Sequence, residues 1–277
     1  MYLRDPAERF SHLINDTLEL ATAETSLRRT QDVNETSNGP DWTLSTCCGK
    51  HEQILISLLP VYLLVIAIFW NTAVLKPMKL VAVFMHEMSH AIACWLTCGT
   101  VKEINVHSNE GGVTKYVGGC RLLIIPAGYC GCAFWGGFFV IMSGNRTAAL
   151  VSSILFCVAM LASLRFSPNK TMIAVILFFV ALTIGAIVVD RMVVPVLNYL
   201  TLFYGVFIGV FSIYDIYDDC IKRTVNGSDS HACFKLIPCC LPRLVGLQFA
   251  IVALVFQVAG VYFALVWTTA ATDYPTE

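Results

Sequence analysis

The chain has 277 residues, of which 57% are hydrophobic and only 13% are charged, and its formal net charge at pH 7 is −1. Soluble domains carry about 25% charged residues, so this composition excludes an ordinary soluble protein and predicts one that spans a membrane. We therefore expect the lipid bilayer as a partner and no nucleic acid.

The first 50 residues differ from the rest, because they are polar and lack the apolar core of a cleavable signal peptide. Their segment "TQDVNETSNGPD" has the composition of a disordered linker. We divide the chain into a polar, largely disordered cytosolic tail (1–50) and a transmembrane domain (51–277).

Seven candidate membrane spans follow the tail, since about 20 apolar residues cross a bilayer. They are Gln53–Leu75, Met78–Cys98, Arg121–Met142, Thr147–Leu164, Thr171–Val189, Met192–Ile213 and Leu244–Trp267. The sequence thus predicts an all-α polytopic membrane protein with six to seven transmembrane helices.

The distribution of basic residues predicts the orientation. If the N-terminus is cytosolic and all seven spans cross, the cytosolic side holds Lys50, Lys102, Lys115, Arg121, Arg165, Lys170, Lys222, Arg223, Lys235 and Arg243. The opposite side holds only Lys76, Lys79, Arg146 and Arg191. Because basic residues accumulate in cytosolic loops, we expect a cytosolic N-terminus and an external or lumenal C-terminus.

The twelve cysteines do not indicate a disulfide framework, since several lie within apolar spans, where cysteine serves as a small hydrophobic residue. The doublets Cys47-Cys48 and Cys239-Cys240 flank spans on the predicted cytosolic side. Palmitoylation and plain interfacial packing both remain open for them.

The second span contains "HEMSH", which places His86, Glu87 and His90 in an otherwise apolar helix. Residues four apart share a helix face, so His86 and His90 can present two imidazoles to one metal ion. Glu87 then occupies the place of a general base, as in zinc peptidases of the His-Glu-x-x-His type. The alternative is a buried structural network, in which the imidazoles bond to carbonyls and Glu87 is paired with a basic residue.

Beyond this motif, the sequence resembles the site-2 protease family of intramembrane zinc metallopeptidases, and most of all its small B-like branch. The matching segments are "FMHEMSHAIACWLTCGTVKEINVHSNEGGVTKY", "PAGYCGCAFWGG" and "SIYDIYDD", which together span about residues 84–219. The resemblance makes 51–277 a metallopeptidase-like domain. It implies one zinc ion per chain, held by the two histidines and a later aspartate, and a transmembrane protein as substrate.

The third ligand is expected from "SIYDIYDDC", which offers Asp215, Asp218 and Asp219. Asp215 lies nearest the apolar run and best matches the family pattern, so we predict His86, His90 and Asp215 as ligands. Its span is predicted to end at Ile213, so that helix must continue to about residue 220, or the catalytic helix must be displaced towards the cytosol. The alternative for all three aspartates is an acidic cap at the membrane interface.

Between Val101 and Gly119, apolar and polar residues alternate on both sides of "NEGG", which predicts a small β-hairpin after the His-Glu-x-x-His helix. The edge of such a hairpin could align an unwound substrate as an added strand, and we assign this role to Gly111, Gly112 and Val113. The alternative is a solvated loop.

The predicted function is that of a zinc-dependent intramembrane endopeptidase, in which Glu87 assists the attack of a zinc-bound water on the peptide bond. Two other classes remain open. One is a catalytically silent relative that binds transmembrane segments or metal, and the other is a transporter that uses the polar helix as an ion path. No inverted repeat of the hydrophobic segments supports a transporter.

Overall fold

The structure is a computed structural model. It describes residues 42–45, 47, 49–167, 169–218, 220, 229–236 and 241–270, so most of the polar tail lies outside the described residues. The elements in chain order are α1 (Lys50–Phe69), α2 (Lys76–Leu96), β1 (Thr100–Val106), β2 (Gly112–Val117), α3 (Arg121–Ser143), α4 (Arg146–Ser163), α5 (Lys170–Met192), α6 (Leu197–Tyr217), α7 (Asp229–Leu236) and α8 (Pro242–Ala270). The predicted class, a helical membrane protein with one β-hairpin, is confirmed.

Six of these helices are long and apolar enough to cross a membrane, namely α1, α3, α4, α5, α6 and α8. The predicted second span, which became α2, is not among them. The reason is its polar content, since Lys76, Lys79, His86, Glu87 and His90 all fall within it. Polar residues at membrane depth need protein partners, and most of α2 is buried among the other helices.

Contacts between neighbouring helices show that α1 and α6 run in the same direction. Tyr62 Oη donates to the carbonyl of Tyr199 near the start of α6. Trp70, which follows α1, packs edge-on against Tyr214 near the end of α6. The order of contacts along both helices is therefore the same.

The helices after the hairpin alternate in direction. Residues 129, 136 and 140 of α3 contact residues 212, 209 and 205 of α6, so these two helices are antiparallel. The start of α4 meets the end of α5 through an ion pair of 3.1 Å between Arg146 Nε and Asp190 Oδ2. The end of α5 in turn meets the start of α6, where the amide of Leu197 donates to Asp190 Oδ1.

Helix α2 adds no crossing of its own to this alternation. It is antiparallel to α3, because His90 contacts the carbonyl of Ile124 and Cys132 Sγ lies near the carbonyl of Ala82. It therefore runs in the same direction as α6 and α1. The six candidate spans then alternate without α2, which brings the start of α1 and the end of α8 to one face of the bundle.

A direct contact agrees with this arrangement. Tyr262 Oη, near the end of α8, donates to the carbonyl of Trp42, and the Trp42 ring packs edge-on against Phe263. The sequence analysis placed the two ends on opposite faces, because it counted α2 as a full span. These contacts argue against that odd number of crossings, while the side that faces the cytosol stays a prediction.

The hairpin runs back along α2 instead of projecting into solvent. At its base, the amide of Cys120 donates to Thr97 Oγ1, 3.0 Å away at the end of α2. At its tip, Glu110 is paired with Lys79 in the first turns of α2. Ile104 and Val106 of β1 are almost fully buried. Strand backbone at this depth is tolerated because protein covers it.

One cysteine departs from the expectation drawn from the sequence. Cys47, just before α1, is disulfide-bonded, although no disulfide was expected there. The other described cysteines are free, and Cys48, Cys239 and Cys240 lie outside the described residues.

Candidate metal centre

Helix α2 presents His86 and His90 on the face that packs against α3. The two imidazole rings lie 4.9 Å apart between centroids. The Nε2 atom of each ring lies 3.0 Å from one carboxylate oxygen, Oδ2 of Asp229. This spacing brings three donor atoms to one point, as the i, i+4 pattern predicted for the two histidines.

The group His86, His90 and Asp229 is the set of possible metal donors found among the described residues. Asp229 is the first residue of α7, a short helix that packs against α3 and α8. The sequence analysis missed Asp229, because it lies in a polar segment between two spans and carries no apolar periodicity. Only its arrival beneath α2 distinguishes it from an ordinary loop aspartate.

The structure places Asp215 on the other side of the same imidazole. Its Oδ2 lies 3.5 Å from Nδ1 of His86, whereas Asp229 faces Nε2. Helix α6 continues to Tyr217, so Asp215 is within the helix and the difficulty about its depth disappears. Asp218 is buried next to the end of that helix, and Asp219 lies outside the described residues.

The second histidine is oriented by the backbone of α3. Its Nδ1 lies 2.7 Å from the carbonyl oxygen of Ile124, a distance at which Nδ1–H donates. In the neutral imidazole, that hydrogen bond leaves Nε2 as the nitrogen with the free lone pair, which is the form that binds a metal ion. Metal-binding histidines are commonly held in this way by a carbonyl or a carboxylate. Asp215 Oδ2 faces Nδ1 of His86 at 3.5 Å, without a hydrogen bond between them.

The charge state of Asp229 suits metal binding. Burial by itself would raise the pKa of this carboxyl, but the neighbouring His90 and the hydrogen bonds with both imidazoles hold the pKa below its ordinary value. Asp229 is therefore a carboxylate, the form in which an aspartate binds metal.

Gly128 of α3 leaves the space that an ion would need. A Cβ atom at this position would lie 2.3 Å from Nε2 of His86, 2.5 Å from Nε2 of His90 and 2.6 Å from Oδ2 of Asp229. Zinc bonds to nitrogen and oxygen donors are about 2.0–2.2 Å long. The three donors thus converge on a point in front of Gly128 at nearly the distances that zinc requires, and the residues present fit the ion. Helix α3 is continuous through Pro126 and Gly128.

Glu87 points to the hairpin side of the site and contacts β2. Thr114 Oγ1 lies 2.7 Å from Oε2 of Glu87 and 2.9 Å from its backbone carbonyl, so the hydroxyl can donate to either oxygen. A Cβ at Gly112 would lie only 2.4 Å from Oε1 of Glu87. The glycine therefore allows strand and carboxylate to approach closely.

A cavity of about 370 Å³ joins these groups. The cavity is lined by both histidines, Asp215 and Asp229, and also by Glu87 and residues 110–114 of the hairpin. The predicted substrate residues Gly111, Gly112 and Val113 thus line the same cavity as the predicted catalytic residue. His107 lies elsewhere, on the exposed hairpin tip near Asn169.

Two histidines and an acid converge in a cavity within a bundle of membrane-type helices. The protein is therefore a helical membrane protein with a candidate metal centre. A model of one family, described as peptidase M50B-like, matches residues 59–260. The chain belongs to the peptidase M50B-like family, as the resemblance to the B-like site-2 proteases predicted. No curated protein and no solved structure matches the chain.

Proposed function

We propose that this protein is a zinc-dependent endopeptidase that cleaves membrane-embedded polypeptides. The observation that supports this proposal most directly is the convergence of His86, His90 and Asp229 on the space in front of Gly128. The family match supports the class of membrane peptidase.

His86, His90 and Asp229 are the proposed ligands. A zinc ion held by them would lower the pKa of water and polarise the carbonyl of the scissile peptide bond. Three protein ligands are typical of catalytic zinc sites, which keep a further position open. Asp215, predicted from the sequence as the third ligand, is proposed instead to hold His86 through Nδ1.

Glu87 is the proposed general base. Its carboxylate lines the cavity, is next to His86 in the chain, and is held by Thr114. In this role it accepts the proton of the attacking water and passes it to the leaving amine, so that the C–N bond breaks and both new ends carry their protons.

The edge of β2 is the proposed place for the substrate. The sheet has two strands in the described part of the chain, so the outer edge of β2 has no strand partner there. Gly112, Val113 and Lys115 of β2 are exposed, in contrast to the buried end of β1. A peptide that pairs with this edge in extended form would have its backbone beside Gly112, and so beside Glu87.

The test is cleavage of single-span peptides by the purified protein in lipid vesicles. We expect fragments from wild type with zinc, none after removal of zinc with a chelator, and recovery when zinc is returned. Glu87→Gln should keep its zinc and lose at least about a hundredfold in rate, because general-base catalysis contributes about 10²- to 10⁴-fold.

Glu103→Gln on β1 is the control, because this carboxylate is paired with the exposed Lys115 and does not line the cavity, and its rate should match that of wild type. A zinc-loaded wild type that cleaves no peptide at any concentration would contradict the peptidase and favour the silent relative. Equal cleavage by wild type and Glu87→Gln would contradict the assigned base.

A further inference from the structure

An ion pair between a buried lysine and a half-buried glutamate joins the hairpin tip to α2. Lys79 Nζ lies 3.2 Å from Oε2 of Glu110, and the side chains are 8% exposed for Lys79 and 36% for Glu110. The ammonium also lies 4.7 Å from the centre of the Trp70 ring, which is a cation–π distance. A buried lysine needs such partners, because an unpaired ammonium at this depth is costly.

Glu110 has a strained backbone conformation, which indicates that its side chain has a role at this position. Its φ of 66° lies in the left-handed region, where glycine and asparagine are favoured and other residues are strained. The turn could be closed without that strain by a glycine, which the chain uses at the next two positions. A glutamate at the strained position forms an ion pair with Lys79, which a glycine could not.

The same contact reaches the catalytic side of the site through the hairpin. Gly112, two residues after Glu110, lies against the Glu87 carboxylate, and Thr114 is hydrogen-bonded to it. On the other side, Trp70 packs against Tyr214, one residue before Asp215. A displacement of the hairpin tip would therefore move the groups that hold Glu87.

We propose that Lys79 and Glu110 are positioning residues, which hold the hairpin tip at the depth where Gly112 and Thr114 fix the Glu87 carboxylate. The pair acts through the hairpin: Glu110 lines the same cavity as Glu87, but it is paired with Lys79, and neither residue belongs to the donor group. Its effect on peptide cleavage rests on the proposed function, whereas its effect on the hairpin does not.

Hydrogen–deuterium exchange of the full chain in lipid, measured by mass spectrometry, tests the effect on the hairpin. In Glu110→Gln we expect amides of residues 107–114 to exchange at least about tenfold faster than in wild type, because the buried Lys79 ammonium loses the carboxylate that joins it to the tip. Exchange in α3 and α6, and zinc content, should stay unchanged.

The matched control is the other ion pair of the same hairpin, in which Lys115 Nζ lies 2.8 Å from Oε2 of Glu103 and the side chains are 60% exposed for Lys115 and 26% for Glu103. Glu103→Gln should leave exchange at the tip unchanged, since the lysine that loses its partner is solvated, in contrast to the buried Lys79. Equal exchange rates in wild type, Glu110→Gln and Glu103→Gln would overturn the proposal.

The double variant Lys79→Met/Glu110→Gln separates positioning from general stability. It leaves no unpaired charge, so its melting temperature should return towards that of wild type. We expect the tip amides of the double variant to exchange as fast as those of Glu110→Gln. We also expect kcat for peptide cleavage to be at least about tenfold lower than in wild type in both variants. Full recovery of kcat with a loose tip would overturn the positioning role. If Glu110→Gln speeds exchange at the tip but the wild-type protein cleaves no peptide, the proposed peptidase function is contradicted and the role of the pair in holding the hairpin is not.

Discussion

Gly112 and Glu87 are in direct contact, with the backbone of the β2 strand lying against the carboxylate of the His-Glu-x-x-His helix. Two elements that are separate in sequence thus share one small volume. The glycine is required there for its lack of a side chain, because a Cβ would lie 2.4 Å from Oε1 of Glu87. The hairpin and the His-Glu-x-x-His helix are therefore packed directly against each other at this point.

The first prediction tests this contact. Gly112→Ala should displace Glu87 and lower the rate of peptide cleavage at least about tenfold, since misplacement of a catalytic group by about 1 Å can cost a hundredfold. Zinc content, measured by elemental analysis, should not change. Gly111→Ala is the matched control, because a Cβ at that position would approach only the Asn109 side chain, at 3.3 Å. Equal rates in the two variants would show that the contact has no role.

The second prediction concerns the third ligand. Asp229→Ala should lose zinc, whereas Asp215→Ala should still bind it with about 10- to 100-fold lower affinity, the usual effect of removing a group that orients a ligand. Isothermal titration calorimetry with zinc measures the affinity of each variant. Asp218→Ala, whose carboxylate is not in the donor group, is the control. Loss of zinc in Asp215→Ala with full binding in Asp229→Ala would restore the ligand set predicted from the sequence.

The third prediction uses Gly128. Gly128→Ala should abolish zinc binding while the helices form normally, because the new methyl group would occupy the point on which the three donors converge. Gly185→Ala on α5 is the control, since a Cβ there meets nothing within 4 Å. Circular dichroism checks the helices and elemental analysis the zinc. Full zinc in Gly128→Ala would show that the ion binds elsewhere.

The fourth prediction concerns orientation. If α2 adds no crossing, the face with the start of α1 holds Lys50, Arg146 and Arg191, and the opposite face holds Lys102, Lys115, Arg121, Arg165, Lys170, Lys235 and Arg243. Basic residues favour the cytosol, so we now expect both ends of the bundle on the external or lumenal side.

Glycosylation in microsomes measures this orientation. The sequon at Asn34 precedes α1 and the sequon at Asn226 lies between α6 and α7, so they report opposite faces. We expect a glycan that is lost in Asn34→Gln and no change in Asn226→Gln. The reverse result would support the cytosolic N-terminus that the sequence analysis predicted.

The sequence by itself determined the membrane class, the hairpin and the histidine pair, because each depends on local periodicity. Helical spacing alone puts His86 and His90 on one face, and alternation around "NEGG" alone predicts two strands. The family could likewise be predicted from short segments whose order is fixed along the chain.

The tertiary structure decided which acid lies with the two histidines in the donor group and in which direction α2 runs relative to the candidate spans. Asp229 reaches Nε2 of both histidines only because α7 packs beneath α3, a contact between segments about 140 residues apart in sequence. Helix α2 has the length of a span, but its direction relative to α1 follows from its packing against α3 and α6. Long-range packing of this kind leaves no periodic signal in a single sequence, and therefore only the folded chain could reveal it.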